Sequence, residues 1–91
     1  MKKQTSVNME KLGLRAPSPR EIEVLRELVC GETNGVIGHN LGISEKTVEA
    51  HRANIQRKLG VRGVAELIMK TLRLGLVPMP DFDETGKLVL K

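Results

Sequence analysis

Side chains able to do chemistry crowd into one stretch. From Lys46 to Lys58 the sequence holds Lys46, Thr47, Glu49, Arg52, Asn54, Arg57 and Lys58, with the small residues Ala50 and Ala53 among them. At about 100° per residue, a helix that turns Val48, Ile55 and Leu59 inward presents Lys46, Ala50, Ala53 and Arg57 most directly outward. Glu49 flanks that face on one side, and Thr47, Asn54 and Lys58 on the other. Such a surface suits the major groove of a duplex. An alanine allows close backbone approach and meets a thymine methyl, while basic and hydroxyl groups on the flanks reach phosphates and fix the register. Glu49 is the odd residue, since phosphates repel a carboxylate; there it accepts a hydrogen bond from cytosine N4 or forms an i→i+3 pair with Arg52.

Other chemistries find less support. No nucleophile–base or paired-carboxylate arrangement is visible, so no enzyme and no cofactor are expected. His51 has no second metal ligand at helical spacing beyond Glu49, and a half-buried structural role fits it better. Cys30, the one cysteine, forbids an internal disulfide and reads as a packed thiol in a reducing compartment. Gly35-Val36-Ile37-Gly38 matches a GxxG loop of RNA-binding proteins, but the strands such a fold needs are absent. Asp81-x-Asp83-x-Thr85-Gly86 resembles half a calcium loop whose bidentate glutamate would fall beyond Lys91, so a simple turn is expected. With one Phe, no Trp and no Tyr in 91 residues, single-strand recognition by base stacking is excluded.

The charge is segregated. Fifteen Lys and Arg against eleven Asp and Glu leave a net +4, but residues 1–19 carry +3, residues 20–32 carry −2 and residues 45–62 carry +3. That asymmetry is more informative than the total: it fits a polyanionic partner, and it equally fits a solvated, charged helix face until the segment's geometry is considered. The start Met1-Lys2-Lys3 is followed by no apolar run, so neither a secretory signal nor a membrane association is expected.

These side chains need elements to hold them. Residues 1–17 lack periodicity and read as a flexible basic leader. Ser18-Pro19-Arg20-Glu21 is a capping box with proline at the first helical position, opening a helix over about 19–30. Thr33 caps a short second helix in which Gly35 and Gly38 each cost roughly 1 kcal/mol relative to alanine. Gly42-Ile43-Ser44 turns into a third helix, about 45–59. A fourth, about 64–74, is expected to bury Ala65, Ile68 and Leu72 and to leave Val64, Leu67 and Met69 outside as a dimer face. Residues 78–91 read as a turn and an extended tail. The expected fold is all-α, a compact four-helix bundle containing a helix-turn-helix over residues 18–77.

The string Ser18-Pro-Arg-Glu-Ile-Glu-Val-Leu25, Gly31-x-x-Asn34, Ile37-x-x-x-Leu41-Gly-Ile-Ser44-x-x-Thr47-Val48-x-x-His51, Asn54-Ile55-x-x-Lys58-Leu59 closely resembles the LuxR-type (GerE/NarL/FixJ) DNA-binding domain. The resemblance runs over about residues 18–77. It implies a cytoplasmic, nucleoid-associated transcription regulator that binds double-stranded DNA as a homodimer, with the third helix in the major groove and the fourth commonly at the dimer interface. Thr47 and Lys58 then look like backbone contacts, and positions 49, 50 and 53 like base readers. With Asn54 added, the candidate base readers are Glu49, Ala50, Ala53 and Asn54. The candidate phosphate contacts are Thr33, Lys46, Thr47, Arg52, Arg57 and Lys58. Gly35 stands where the family usually has a phosphate-binding lysine, and Gly38 where it usually has alanine. Such domains often follow a receiver or ligand-binding domain, so an excised output domain and a stand-alone regulator are both open. RNA polymerase or another regulator is the expected protein partner. Two rivals share the pattern: a sigma region 4-like module, and a protein-interaction module that kept the fold while losing DNA affinity.

Overall fold

Capping side chains decide where the helices begin. In the computed structural model, which describes residues 9–90, Ser18 opens α1 (Pro19–Val29) with both halves of a capping box. Its hydroxyl accepts the Glu21 N–H at 3.2 Å, and its own N–H donates to Glu21 Oε1 at 2.8 Å. The Thr33 hydroxyl accepts the Val36 N–H to open α2 (Asn34–Leu41). Ser44 accepts the Thr47 N–H to open α3 (Glu45–Leu59). The fourth helix, α4 (Val64–Arg73), follows Gly63. The four helices and the helix-turn-helix are as expected from the sequence.

Only Gly42, Ile43 and Ser44 separate α2 from α3. Gly42 adopts a left-handed φ of 70°, which reverses the chain at little steric cost. Gly38 is a different matter. It is buried, and a Cβ there would stand 2.7 Å from the Ile43 carbonyl oxygen. Its value lies in the close approach of α2 to the turn, not in poor helix propensity.

The core is built from Val24, Leu25, Leu28 and Val29 of α1, Ile37 of α2, Val48, Ile55 and Leu59 of α3, Leu67 of α4, and Val77. Polar ties lock the helices to one another. Arg20 donates to the Leu41 carbonyl at 2.8 Å, Asn40 to Glu27 at 2.8 Å, and Arg52 to Asn34 Oδ1 at 2.8 Å.

Two expectations are corrected. In α4 the buried residues are Leu67 and Thr71, while Ala65 is exposed and Ile68 and Leu72 are half-buried. Leu67 is therefore a core residue and not part of a dimer face. The helix is apolar over more than half its circumference, so the pattern alone leaves its rotation open; the observed rotation differs by roughly 100°, one residue's step. The flexible leader is corrected in its second half only. Residues 1–8 lie outside the described residues, but Glu10–Leu12 form a 3-10 turn and Leu14 is buried. Arg15 donates its backbone N–H to the Lys58 carbonyl at 3.0 Å, supplying one of the donors that the end of α3 lacks.

After α4 the chain forms a small antiparallel hairpin, β1 (Asp81–Phe82) with β2 (Leu88–Val89), Phe82 facing Leu88. Asp83 closes it: one carboxylate oxygen accepts from the Thr85 hydroxyl and N–H and from the Lys87 N–H. Those bonds hold the Asp83 carboxyl below its ordinary range. Among the described residues no helix is long and apolar enough to cross a membrane.

Candidate nucleic-acid interface

The outward face of α3 carries the residues that could meet a duplex. Lys46, Glu49, Ala50, Ala53 and Arg57 are exposed along it, and Asn54 is half-buried at its edge. Thr47 is exposed, and its hydroxyl shares a hydrogen bond with that of Ser44 at 2.9 Å. Alanines at the centre, polar and charged groups around them: this is a surface a groove floor can approach closely.

The remaining candidates are tied into the fold. Thr33 uses its hydroxyl as the α2 cap. Arg52 is half-buried and held by Asn34, so it does not pair with Glu49. Among the described residues Glu49 has no ion-pair partner within 4.0 Å. The Arg57 guanidinium donates to Asn54 Oδ1.

Lys58 is the most constrained. Its Nζ lies 2.7 Å from Glu21 Oε1, and both side chains are largely buried, at 21% and 6% exposure. Burial pushes the Glu21 carboxyl up, but the Lys58 ammonium and the Ser18 N–H and hydroxyl outweigh it, and the group sits below its ordinary value. The residue that closes the α1 capping box thus also anchors the end of α3.

Beside this pair lies a cleft of about 450 Å³, lined by Arg15, Glu21, Asn54, Arg57 and Lys58. Arg15 had no place among the candidates read from sequence. The only signal for it was Leu14, one of a few apolar residues in an aperiodic stretch.

Elsewhere, Val64 and Met69 are exposed on α4, at 41% and 58%. Cys30 is half-buried at the end of α1; burial and the charges of Glu27 and Glu32 push its thiol up, away from the reactive thiolate. Among the described residues no group of three or more His, Cys, Asp or Glu is placed to hold a metal.

Comparison with known proteins agrees with this geometry. The family model described as bacterial regulatory proteins, luxR family, matches residues 17–71. The transcriptional regulatory protein FixJ of Azorhizobium caulinodans is 41% identical over 68 residues, which cover 75% of this chain and 32% of that protein. The chain therefore spans about a third of that relative's length. The structure of the transcription factor GerE superposes with a TM-score of 0.66 at 39% identity, covering 71% of this chain and 98% of that one. VqmA of Vibrio cholerae, solved in complex with ligand and DNA, gives a TM-score of 0.65 at 32% identity, covering 84% of this chain and 31% of its own.

Proposed function

The chain belongs to the LuxR family of bacterial regulatory proteins, and on that footing we propose that it regulates transcription by reading duplex DNA through α3, as a homodimer. The observation that carries this reading is the outward face of α3, where exposed Ala50 and Ala53 lie between Lys46, Glu49 and Arg57. Glu49, Ala50 and Ala53 meet base edges; Lys46, Thr47 and Arg57 hold the flanking backbone. Residues 18–77 form the DNA-binding unit. Val64 and Met69 on α4 meet a second copy across the two-fold axis that a two-half-site operator requires. The chemistry is binding, not catalysis, and RNA polymerase or another regulator at the promoter is the natural recipient of the signal. Such a protein works in the cytoplasm, at the nucleoid.

Selection of bound sequences from a randomised duplex pool, followed by fluorescence anisotropy on the selected and scrambled duplexes, tests this. We expect a recurrent, two-fold symmetric sequence bound at least about 10³-fold more tightly than scrambled DNA. Equal affinity for both duplexes would end the sequence-reading proposal, and no binding to either would favour a protein-interaction role.

A further inference from the structure

The cleft at the C-terminal end of α3 owes part of its free charge, Arg15 beside Arg57, to a residue outside the helix-turn-helix. The Lys58 ammonium is compensated by Glu21 at 2.7 Å. Arg57 donates to Asn54, and a guanidinium has no acceptor, so the Asn54 amide turns its oxygen to Arg57 and keeps its NH₂ for another partner. Arg15 is exposed, and among the described residues no carboxylate lies within 4.0 Å of its side chain. The cleft thus offers two guanidinium groups and an amide donor, and its one acid, Glu21, is buried and paired. A site built of donors calls for a ligand rich in acceptor oxygens and negative charge, which is a phosphate.

Position says which phosphate. A 15-residue α3 is roughly 22 Å long, whereas the major groove is about 12 Å wide. With the turns that carry Glu49, Ala50 and Ala53 over the base edges, the last turn of α3 lies over the sugar–phosphate wall. Arg15 is already fixed there, because its backbone N–H donates to the Lys58 carbonyl and the neighbouring Leu14 is buried. Pinning the main chain in advance removes much of the ordering cost that a loose arm would incur on binding.

We propose that Arg15, together with Arg57 and the Asn54 amide, grips one backbone phosphodiester beside the groove that α3 enters, and that this anchor takes the place of a Lys58 contact. The proposal rests on the DNA-binding reading above. Anisotropy with the selected operator and with random duplex, from 50 to 200 mM salt, measures it in wild type, Arg15→Gln and Arg15→Lys. Arg15→Gln is expected to weaken both duplexes by the same factor and to lower the slope of log K against log salt by about 0.9, the value of one phosphate. Arg15→Lys should keep the slope. Because the Arg15 side chain is exposed and makes no ion pair among the described residues, the melting temperature should not change. Wild-type affinity and slope in Arg15→Gln would overturn the anchor while leaving DNA binding intact, whereas a wild type that binds no duplex overturns both. Inorganic phosphate titrated at constant ionic strength distinguishes a small-anion site. Saturable binding lost in Arg15→Gln, with duplex affinity unchanged, would overturn the backbone assignment.

Discussion

Gly38 and Ile43 meet so closely that a Cβ on the first would stand 2.7 Å from the carbonyl oxygen of the second, inside any real van der Waals contact. The obstacle is backbone, in a three-residue turn whose Ile43 N–H also donates to the Gly38 carbonyl at 2.9 Å. Gly35, one helical turn earlier, faces no such neighbour; its Cβ would find nothing nearer than 3.9 Å. Two glycines of equal propensity cost should therefore respond oppositely to alanine. Gly35→Ala is expected to stabilise by up to about 1 kcal/mol. Gly38→Ala should destabilise by about 1–3 kcal/mol, because α3 must move away from α2. Urea unfolding of the two variants checks this, and a more stable Gly38→Ala would show that the turn yields freely.

The Glu21–Lys58 pair makes stability depend on pH in a definite direction. The Glu21 carboxyl is held below its ordinary value in the fold, so its contribution is fully present above about pH 5. It is lost as pH falls through the lowered native value, where the unfolded chain already binds the proton. Glu21→Gln should cost about 1–3 kcal/mol at pH 7, since it leaves the Lys58 ammonium unpaired. The same variant should lose less stability than wild type between pH 5 and pH 3. Parallel slopes for the two proteins over that range would remove Glu21 from the acid response.

Much of the fold was legible because its signals are local. Ser18, Thr33 and Ser44 each sit at a helix start that their side chains create. The α3 stripe was equally plain, since Val48, Ile55 and Leu59 are its apolar residues apart from alanine. In α4 the signal was ambiguous. Apolar residues surround most of that helix, and the centre of its buried face holds Thr71, a polar residue whose hydroxyl finds no partner among the described residues. At the site, sequence could nominate Lys58 and Arg57 but could not reveal which cation is already engaged. That depends on Glu21, 37 residues away. Arg15 was hidden for the same reason: one backbone hydrogen bond to α3 and the burial of Leu14, with no periodic pattern, hold its segment.

The correction in α4 changes which substitution tests the dimer. Leu67 is fully buried, so Leu67→Glu should unfold the protein and report nothing about assembly. Met69 is 58% exposed and makes a clean probe. Met69→Glu should fold normally, bind a single half-site as wild type does, and lose cooperativity on two half-sites one DNA turn apart. Electrophoretic mobility shifts on one- and two-site duplexes measure both quantities. Retained cooperativity would move the dimer contact away from this face.

Glu49 is the acid on an otherwise basic face, and its neighbour no longer explains it. Arg52, the residue that could have neutralised it at i+3, donates instead to Asn34 Oδ1 at 2.8 Å. Glu49 remains exposed beside Ala50, with no ion-pair partner among the described residues. A bare carboxylate in a phosphate-lined groove lowers affinity for every duplex, so a compensating contact must be specific. Cytosine N4 offers a donor that the carboxylate can accept, and bases presenting acceptors at that position are penalised. Glu49→Ala should therefore tighten binding to random duplex while reducing the ratio of specific to random affinity. The relaxed preference should fall on one base pair per half-site and amount to about 1–3 kcal/mol. Glu49→Gln, which can donate as well as accept, should shift the preference at that pair and leave the others unchanged. Selection from randomised operators, run on wild type and both variants, reads each position separately; identical base preferences throughout would mean that Glu49 repels phosphate and reads nothing.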